Sequence, residues 1–497
     1  MKKLLLLTLC LASLGLRAGE IDRLVDKSLK YNDIKPSPVC SDDVFLRRTS
    51  LLLTGRIPEV AAVKSFLADK SAGKRSRMID SLLQSEGFVS YQVMKWGDLL
   101  KIKSEFPSNL WPNAVQAYNR WLTEQVRGNV PYDKMVYELL TSTGSNFRVG
   151  PVNFYRAFQT RGPKAYNEMI SLLFMGSRTA DEQCEIFFTN IAFKGSNEWK
   201  EDFLYINPDK ATVASVVKMT DGKNVPVIRG GDLRIAYAKW LTAPDNPYFA
   251  RAMANRMWSW MMGRGIVHQP DDMRPDNAPS NPELLSYLEK QFVASGFDTR
   301  AVLREILNSD AYQRISLSND SNRDDEALFS HYPLRRLTAE ALIDAICDAT
   351  GVPDRYQSRV PEPFTFFPPD FRAVEIGDGT ITNSQLMLFG RPTRDVAFES
   401  DRRDELDSKQ ILYLINSSTI NEKIDKSPRL QELIDSKKDM AGITSELYLM
   451  TVGRYPTQKE VALVNSYSKQ FKKEPMAVTS KNLMWALINS DEFILNR

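Results

Sequence analysis

A short unit that occurs three times constrains the fold of this chain more than any other feature. Each copy has a Gly-Arg turn, a helix with a Phe near its end, and a second helix that ends in a Leu/Ile-x-Ser-acid-x-aromatic phrase. Copy 1 spans residues 55–88, copy 2 spans residues 263–312 and copy 3 spans residues 453–493. The Phe-to-Ser spacing in the three copies is 19, 17 and 19 residues. Such repetition predicts that the unit has a structural role, and differences between the copies indicate where function lies.

The residue types of the unit are suited to packing. Gly supplies the left-handed residue that ends a helix, and the Ser-acid pair can bond exposed backbone groups at a helix end. Most of the remaining chain has apolar residues at helical spacing. Within residues 203–232, valines flank Asp221-Gly222, which is typical of a β-hairpin. We therefore predict a mainly α protein, built of multi-helix domains with a small β insertion around residues 203–232.

The first residues predict export. Met1-Lys2-Lys3 precedes an apolar run over residues 4–16 and a small residue at Ala18, as in a secretory signal peptide cleaved after Ala18. The alternative is an uncleaved anchor, although the run is short for a bilayer span. We predict a secreted or periplasmic protein with no transmembrane anchor after signal cleavage. The expected division is signal peptide 1–18, N-terminal helical domain 19–202, small β segment or linker 203–232 and C-terminal helical domain 233–497.

Charge and cysteine content exclude several classes of function. Loss of residues 1–18 lowers the formal net charge from +3 to 0, so the mature chain has no basic excess for nucleic acid. The chain has two histidines, which argues against a multi-histidine metal site, and we predict no metal and no cofactor. Cys40, Cys184 and Cys347 are far apart and odd in number, so they are not a disulfide framework, although one bridge is possible.

Several phrases resemble a known pair of domains. Residues 21–157 include Leu53-Thr54-Gly55-Arg56 and Val130-Pro131-Tyr132-Asp133, and residues 246–316 include Asn246-Pro247-Tyr248 and Asn255-Arg256-Met257-Trp258. The first set resembles the planctomycete cytochrome-associated secreted domain, and the second resembles the planctomycete secreted domain that usually follows it. The phrases at 332–337, 389–392 and 412–416 extend the match. The resemblance implies a secreted or periplasmic protein and no established activity.

The chain departs from these relatives at two cysteine motifs. Many relatives have a Cys-x-x-Cys-His motif, as in c-type haem attachment, after a Met/Leu-Gly-x-Arg phrase. Here Met175-Gly176-Ser177-Arg178 is followed by a lone Cys184, and Phe398-Glu399-Ser400 stands where relatives often have Cys-x-Cys. The resemblance therefore implies a member without the Cys-x-x-Cys-His haem motif. We hypothesise that in relatives the two motifs meet at one metal or redox site.

Copy 2 differs from the others in its length and its polar residues. Its Gly-to-Phe interval is 29 residues, against 11 in copy 1 and 18 in copy 3. The added loop runs from His268 to Asp276, and arginines in or before it suit an anionic group such as sulfate or carboxylate. We predict Asp271 and Asp272 as catalytic acid/base residues or cation ligands. The predicted substrate-binding residues are Arg251, Asn255, Arg256, His268 and Arg274.

A structural interpretation of the same residues stays open. In it, Arg251 or Arg256 pins the Asp271-Asp272 loop to the preceding helix through ion pairs, and Asn255 bonds the loop backbone. A second charged segment, residues 391–404, alternates in sign, which predicts an exposed, salt-bridged surface.

Three functions are compatible with these patterns. The first is a non-catalytic binding or assembly component of the cell envelope, linked to extracellular polymer use, with polysaccharide or envelope proteins as partners. The second is a hydrolase or lyase that acts on an anionic polysaccharide through Asp271, Asp272 and Arg251. The third is a degenerate redox carrier. Because no catalytic motif is recognisable, the sequence leaves open whether the protein is an enzyme.

Overall fold

The prediction of a mainly α fold with small β elements is confirmed. The computed structural model describes residues 19–210, 215–361, 365 and 368–497, so the predicted signal peptide lies outside the described residues. The helices are α1 (Glu20–Tyr31), α2 (Asp42–Thr54), α3 (Val60–Ala68), α4 (Lys74–Leu83), α5 (Glu86–Leu99), α6 (Pro112–Arg127), α7 (Tyr132–Thr141), α8 (Pro163–Met175), α9 (Arg234–Leu241), α10 (Phe249–Met262), α11 (Pro282–Ala294), α12 (Thr299–Asn308), α13 (Asp310–Gln313), α14 (Ala339–Thr350), α15 (Ser384–Leu388), α16 (Ser408–Asn416), α17 (Ser418–Asp425), α18 (Pro428–Asp435), α19 (Met440–Thr451), α20 (Gln458–Ser468), α21 (Pro475–Ile488) and α22 (Asp491–Ile494).

The strands form small antiparallel sheets. They are β1 (Gly144–Ser145), β2 (Ile191–Gly195), β3 (Asp202–Ile206), β4 (Ser215–Lys218), β5 (Asn224–Val227), β6 (Arg335–Arg336) and β7 (Leu495–Asn496). Strands β4 and β5 pair around the predicted Asp221-Gly222 turn. Strand β3 lies between β1 and β2, so the β region begins before residue 203. Strand β6 pairs with β7, which brings the segment after α13 to the end of copy 3.

Each copy of the repeated unit folds as a group of consecutive helices. Counted from the helix that precedes its Gly-Arg turn to the end of its last helix, copy 1 corresponds to α2–α5, copy 2 to α10–α13 and copy 3 to α19–α22. In each copy the serine of the repeated phrase is the N-cap of the last helix. Ser85, Ser309 and Ser490 each accept a hydrogen bond from the backbone N–H three residues later, at 3.2 to 3.3 Å. This N–H belongs to the aromatic residue of the phrase, which is buried in every copy. The phrase therefore ends one helix and starts the next.

Two consecutive arginines of α2 join copy 1 to the other copies. Arg47 donates hydrogen bonds to the carbonyl oxygens of Thr451 and Phe493 in copy 3, at 2.8 and 2.9 Å. Arg48 donates to the carbonyl oxygen of Tyr312 in copy 2 at 2.6 Å. Both side chains are buried, and their guanidinium groups satisfy carbonyls at helix ends that would otherwise lack a donor.

The buried apolar side chains form two main cores. With few exceptions, the first core contains residues between Ile21 and Tyr332, so copies 1 and 2 share it. The second core contains residues between Leu337 and Ile494, together with Leu51 and Ile57 of copy 1. The cores therefore divide near the start of β6, whereas the predicted domain boundaries stay a prediction. No helix among the described residues has the length and apolar character needed to cross a membrane.

Candidate functional site

A cleft of about 730 Å³ opens where residues of the two cores meet. Copy 1 contributes side chains of α2 and α5, copy 2 contributes the end of α10 and the following loop, and Asn496 of β7 lies just after copy 3. Residues 335–338 and 398–405 add most of the remaining polar lining. Cavities at such junctions are common binding sites, and this one combines ring faces with charged groups. Its aromatic and charged lining includes Tyr91, Lys95, Trp260, Arg264, His268, Arg335, Phe398, Glu399 and Arg402.

Two of the predicted site residues form a buried ion pair beside this cleft. The Arg256 Nη2 and Asp271 Oδ1 atoms are 2.9 Å apart, and the two residues are 0% and 2% exposed. Arg256 Nη1 also donates to the carbonyl oxygen of Leu173, and Asp271 Oδ2 accepts the backbone N–H of Glu399 at 2.7 Å. The pair therefore holds α10, its loop and the segment that carries Glu399 in one arrangement.

Asn255 fixes the same loop through its backbone. The Asn255 Oδ1 atom accepts the N–H of Val267 at 2.9 Å, and Nδ2 donates to the carbonyl oxygen of Val267 at 3.0 Å. This geometry, like the buried pair, is the one expected from the structural interpretation of the loop. The roles predicted for Asp271 and Asp272 in acid/base chemistry or cation binding stay predictions.

The remaining predicted residues do not converge on one point. Asp272 is bound by Arg274 at 2.6 Å, and this hydrogen bond holds the pKa of Asp272 below its usual range. Arg251 lies 3.3 Å from Glu289 in α11, away from the Asp271-Asp272 turn. His268 is exposed, and it is the one member of the predicted set that lines the cleft.

Glu399 connects the buried pair to the cleft. Its Oε1 atom accepts the indole N–H of Trp260 at 2.9 Å and lies 3.3 Å from Arg256 Nε. Burial raises the pKa of Glu399, while Arg256 opposes the rise. Because Asp271 holds the backbone of Glu399, the loop predicted as a site supports a carboxylate that faces the cleft.

The prediction that residues 391–404 form an exposed, salt-bridged segment is wrong for Arg391 and Arg394, which are buried, whereas Arg403 is exposed. Arg394 is completely buried, with Nε 2.9 Å from Asp98 Oδ1. Arg402 bridges Asp98 and Glu340 at 2.5 and 2.6 Å. The alternating signs do mark ion pairs, but the partners come from α5 and α14, and a local pattern cannot identify them.

The Gly-Arg arginine is unpaired in copy 2 alone. In copy 3, Arg454 binds Glu460 at 2.8 Å, and in copy 1, Arg56 lies 3.8 Å from Asp348. Arg264 of copy 2 lines the cleft, and within the described ranges no side chain pairs with it and no acceptor bonds its buried Nε. Of the three equivalent arginines, Arg264 is therefore the one without an acidic partner among the described residues.

Arg335 supplies a second such cation. Its Nη2 atom donates to the carbonyl oxygens of Trp260 and Met261 at 3.0 and 3.2 Å, at the end of α10. In the part of the chain that the structure covers, it forms no ion pair, although the charge of Asp404 acts on it from a longer distance. Carbonyl acceptors orient the guanidinium group without neutralising its charge, so it can still bind an anion.

Acidic residues at the cleft offset only some of this charge. Asp404 and Glu405 line it, and neither forms an ion pair among the described residues. The pKa of His268 is lowered by burial and by nearby Arg264, which favours a neutral imidazole. The cleft is therefore mixed in charge, with its unpaired cations close to the end of α10.

Lys95 is the most unusual group in the cleft. Its Nζ lies 4.8 Å from the ring centroid of Tyr91 and 5.1 Å from that of Trp260. Burial lowers the pKa of Lys95 to about 7, and the charge of Arg335 adds to the lowering. Sequence reasoning missed this residue, although a lone charge in the apolar run Val93-Met94-Lys95-Trp96 is a usable signal.

The residues around Cys184 do not fit a covalent haem. Cys184 is buried in a 3-10 turn, Glu182–Phe188, that offers one thiol and no imidazole. Burial raises the pKa of this thiol to about 12, and Cys40, Cys184 and Cys347 form no disulfide within the described chain. The Arg178 guanidinium lies 5.5 Å from the ring centroid of Phe398, so the two segments at which the resemblance would place the cysteine motifs come close at these residues. Among the described residues, no cluster of three or more His, Cys, Asp or Glu side chains is arranged to hold a metal ion.

Comparison with known proteins identifies two domain families. Residues 20–205 match PSCyt2, a protein of unknown function (DUF1549), and residues 233–468 match PSD1, a protein of unknown function (DUF1553). The order of the two matches is the order that the sequence phrases predict. No curated protein and no solved structure matches the chain.

Proposed function

For a chain that carries a PSCyt2 domain followed by a PSD1 domain, we propose the role of an exported binding component for an acidic extracellular polymer. The cleft is the proposed binding site. The observation that carries this proposal is that Lys95, Arg264 and Arg335 line one cleft without an ion-pair partner among the described residues.

An acidic saccharide suits the cleft better than a simple anion. Unpaired cations can bind carboxylate or sulfate groups, and the partly exposed ring of Phe398 supplies an apolar surface for a sugar ring. The acidic Asp404 and Glu405 favour a ligand that also presents hydroxyl groups. Among the other predicted functions, that of a redox carrier is not supported by any feature of the segment around Cys184.

Binding measurements with matched variants test the proposal. We expect the full chain to bind a polyuronate or a sulfated polysaccharide, and a neutral glucan much more weakly. Loss of a charged hydrogen bond costs about 1.5–3 kcal/mol, so Arg264→Met or Arg335→Met should weaken binding about tenfold or more. Arg56→Met changes the equivalent arginine of copy 1, which does not line the cleft, and should bind normally. Equal binding by all three variants, or no binding by the unchanged protein, would contradict the proposal.

The export part of the proposal has its own test. The N-terminal residues favour cleavage after Ala18, and the mature chain would then begin at Gly19. Mass spectrometry of the N-terminal peptide from native cells should therefore find Gly19 as the first residue, in an extracytoplasmic fraction. A chain that retains Met1 in the cytoplasm would contradict export.

A further inference from the structure

The amine of Lys95 has an environment suited to proton transfer. Lys95 lies on α5 with its side chain partly exposed to the cleft. In the described part of the chain, Nζ forms no hydrogen bond and no ion pair, and its close contacts are with the rings of Tyr91 and Trp260. A lysine that serves only to hold structure normally has such a partner. Here Nζ is left available to a ligand.

The groups around Lys95 favour its neutral form. Arg335 and Arg402 disfavour a second positive charge, whereas Glu399 and Asp98 partly compensate. The two rings beside Nζ attract a cation, which opposes part of the lowering of the pKa. A pKa of about 7 leaves a large share of the side chain as free amine near neutral pH.

We propose that the cleft is catalytic, and that Lys95 removes the proton from the carbon next to a carboxylate in a β-elimination that cleaves an acidic saccharide. The proposal rests on the proposed function, because the same cleft must first bind the acidic polymer. Arg264 or Arg335 would bind the carboxylate of the substrate. Their charge would stabilise the negative charge that develops there when the proton leaves.

The step balances without any oxidant or reductant. The C–H bond next to the carboxylate breaks, its proton goes to Lys95 Nζ, and its electron pair forms a carbon–carbon double bond. The C–O bond one carbon further breaks, and its electron pair stays on the leaving oxygen, which takes a proton from water. The products are a shorter saccharide and an unsaturated acidic sugar, and Lys95 returns its proton to solvent.

Glu399 is a positioning residue in this scheme. When Lys95 becomes an ammonium, the carboxylate of Glu399 favours that charge. Trp260 and Arg256 hold Glu399 in place, and Asp271 binds its backbone N–H. The loop of copy 2 would therefore act on the reaction through Glu399. A Glu399→Gln variant should lower both the maximal rate and the pH at half-maximal rate, because loss of this carboxylate lowers the pKa of Lys95 further.

The closing experiment measures product, binding and the reactivity of Lys95 together. Polyuronates that bind the full chain are incubated with it, and the ultraviolet absorbance of the unsaturated product is followed. Lys95→Arg keeps a cation for binding but removes the base, so the rate should fall at least about 100-fold while binding persists. Lys134→Arg, at an exposed position of α7, is the matched control and should leave the rate unchanged.

A second measurement does not depend on turnover. The rate at which an amine-selective acylating reagent labels Lys95 is followed against pH by mass spectrometry, and half-maximal labelling is expected near pH 7. A midpoint near the ordinary lysine value, or the absence of unsaturated product from polymers that bind, would overturn the catalytic proposal and leave the binding function intact. Failure of every acidic polymer to bind would instead remove the proposed function itself.

Discussion

Arg335 lies directly over Gly263, and its Cδ is 3.2 Å from the position that a Cβ on Gly263 would occupy. Gly263 has φ +75° and is the C-cap of α10. The unpaired side chain of Arg335 packs against it. In copy 2, the glycine of the Gly-Arg turn therefore contacts an arginine that lines the cleft.

A methyl group at Gly263 should disturb both roles. We expect Gly263→Ala to lower the free energy of unfolding by about 2 kcal/mol, because it adds a close contact with Arg335 to the strain of a left-handed alanine. Gly296→Ala is the control, because Gly296 has φ +70° with no atom near its missing Cβ. It should lose only about 1 kcal/mol. Chemical denaturation measures both, and equal losses would show that the Arg335 contact is unimportant.

The serine caps of the repeat should differ in strength with burial. Ser309 and Ser85 both also donate to the carbonyl oxygen three residues earlier, but Ser309 is 4% exposed whereas Ser85 is only half-buried. We expect Ser309→Ala to cost about 2 kcal/mol and Ser85→Ala about 1 kcal/mol or less, because water can replace the cap only at the second site. Thermal unfolding of the two variants checks the order, and a larger loss for Ser85→Ala would reverse the argument.

The two adjacent aspartates of the copy 2 loop should respond differently to the same change. Asp271→Asn removes the closer of the two carboxylates that face the buried Arg256, with Glu399 remaining 3.3 Å from its Nε, and the expected loss is about 3 kcal/mol. Asp272→Asn breaks a pair whose partner, Arg274, is half exposed, and should cost less than about 1 kcal/mol. Urea denaturation of both variants tests this. Equal stabilities would mean that the Arg256–Asp271 pair does not hold the loop.

Lys95 should make stability depend on pH. Its pKa is lower in the folded chain, at about 7, than its ordinary 10.5, so the unfolded chain binds more protons between these values. Stability therefore rises as pH increases through this window, and the cost of burying the ammonium is greatest below it. Lys95→Met should be more stable than the unchanged protein near pH 6, with the gap closing toward about pH 10. Lys134→Met should show no such gap, and a constant gap for Lys95→Met would contradict the lowered pKa.

The helical frame was predictable because its signals are local. The serine of each phrase and the aromatic residue three positions later are close in sequence, and they meet as an N-cap and a buried ring in the structure. The valines around Asp221-Gly222 likewise form a hairpin with the expected turn. Caps and turns depend on a few neighbouring residues, so their chemistry is visible in the sequence alone.

The cleft was not predictable in the same way. Lys95, Arg335 and Glu399 come from α5, β6 and a turn before α16, and nothing in their local sequence shows that they meet. Copy 2 differs from the other copies in sequence, and its acidic loop lies beside the cleft and binds the backbone of Glu399, which lines the cleft. The alternation of positive and negative residues around Arg394 predicted ion pairs but not burial. Arg394 can be buried because Asp98, which lies on α5 and is distant in sequence, pairs with it.

The adjacent arginines of α2 have a consequence for how the protein unfolds. In a linear array of repeats each unit touches only its neighbours in sequence, so the ends can fray while the middle stays folded. Here Arg47 is bonded to copy 3 and Arg48 to copy 2, so the first copy is attached to both of the others through one helix turn. Opening any one copy breaks contacts made by the others, which favours a single cooperative transition for the three copies together.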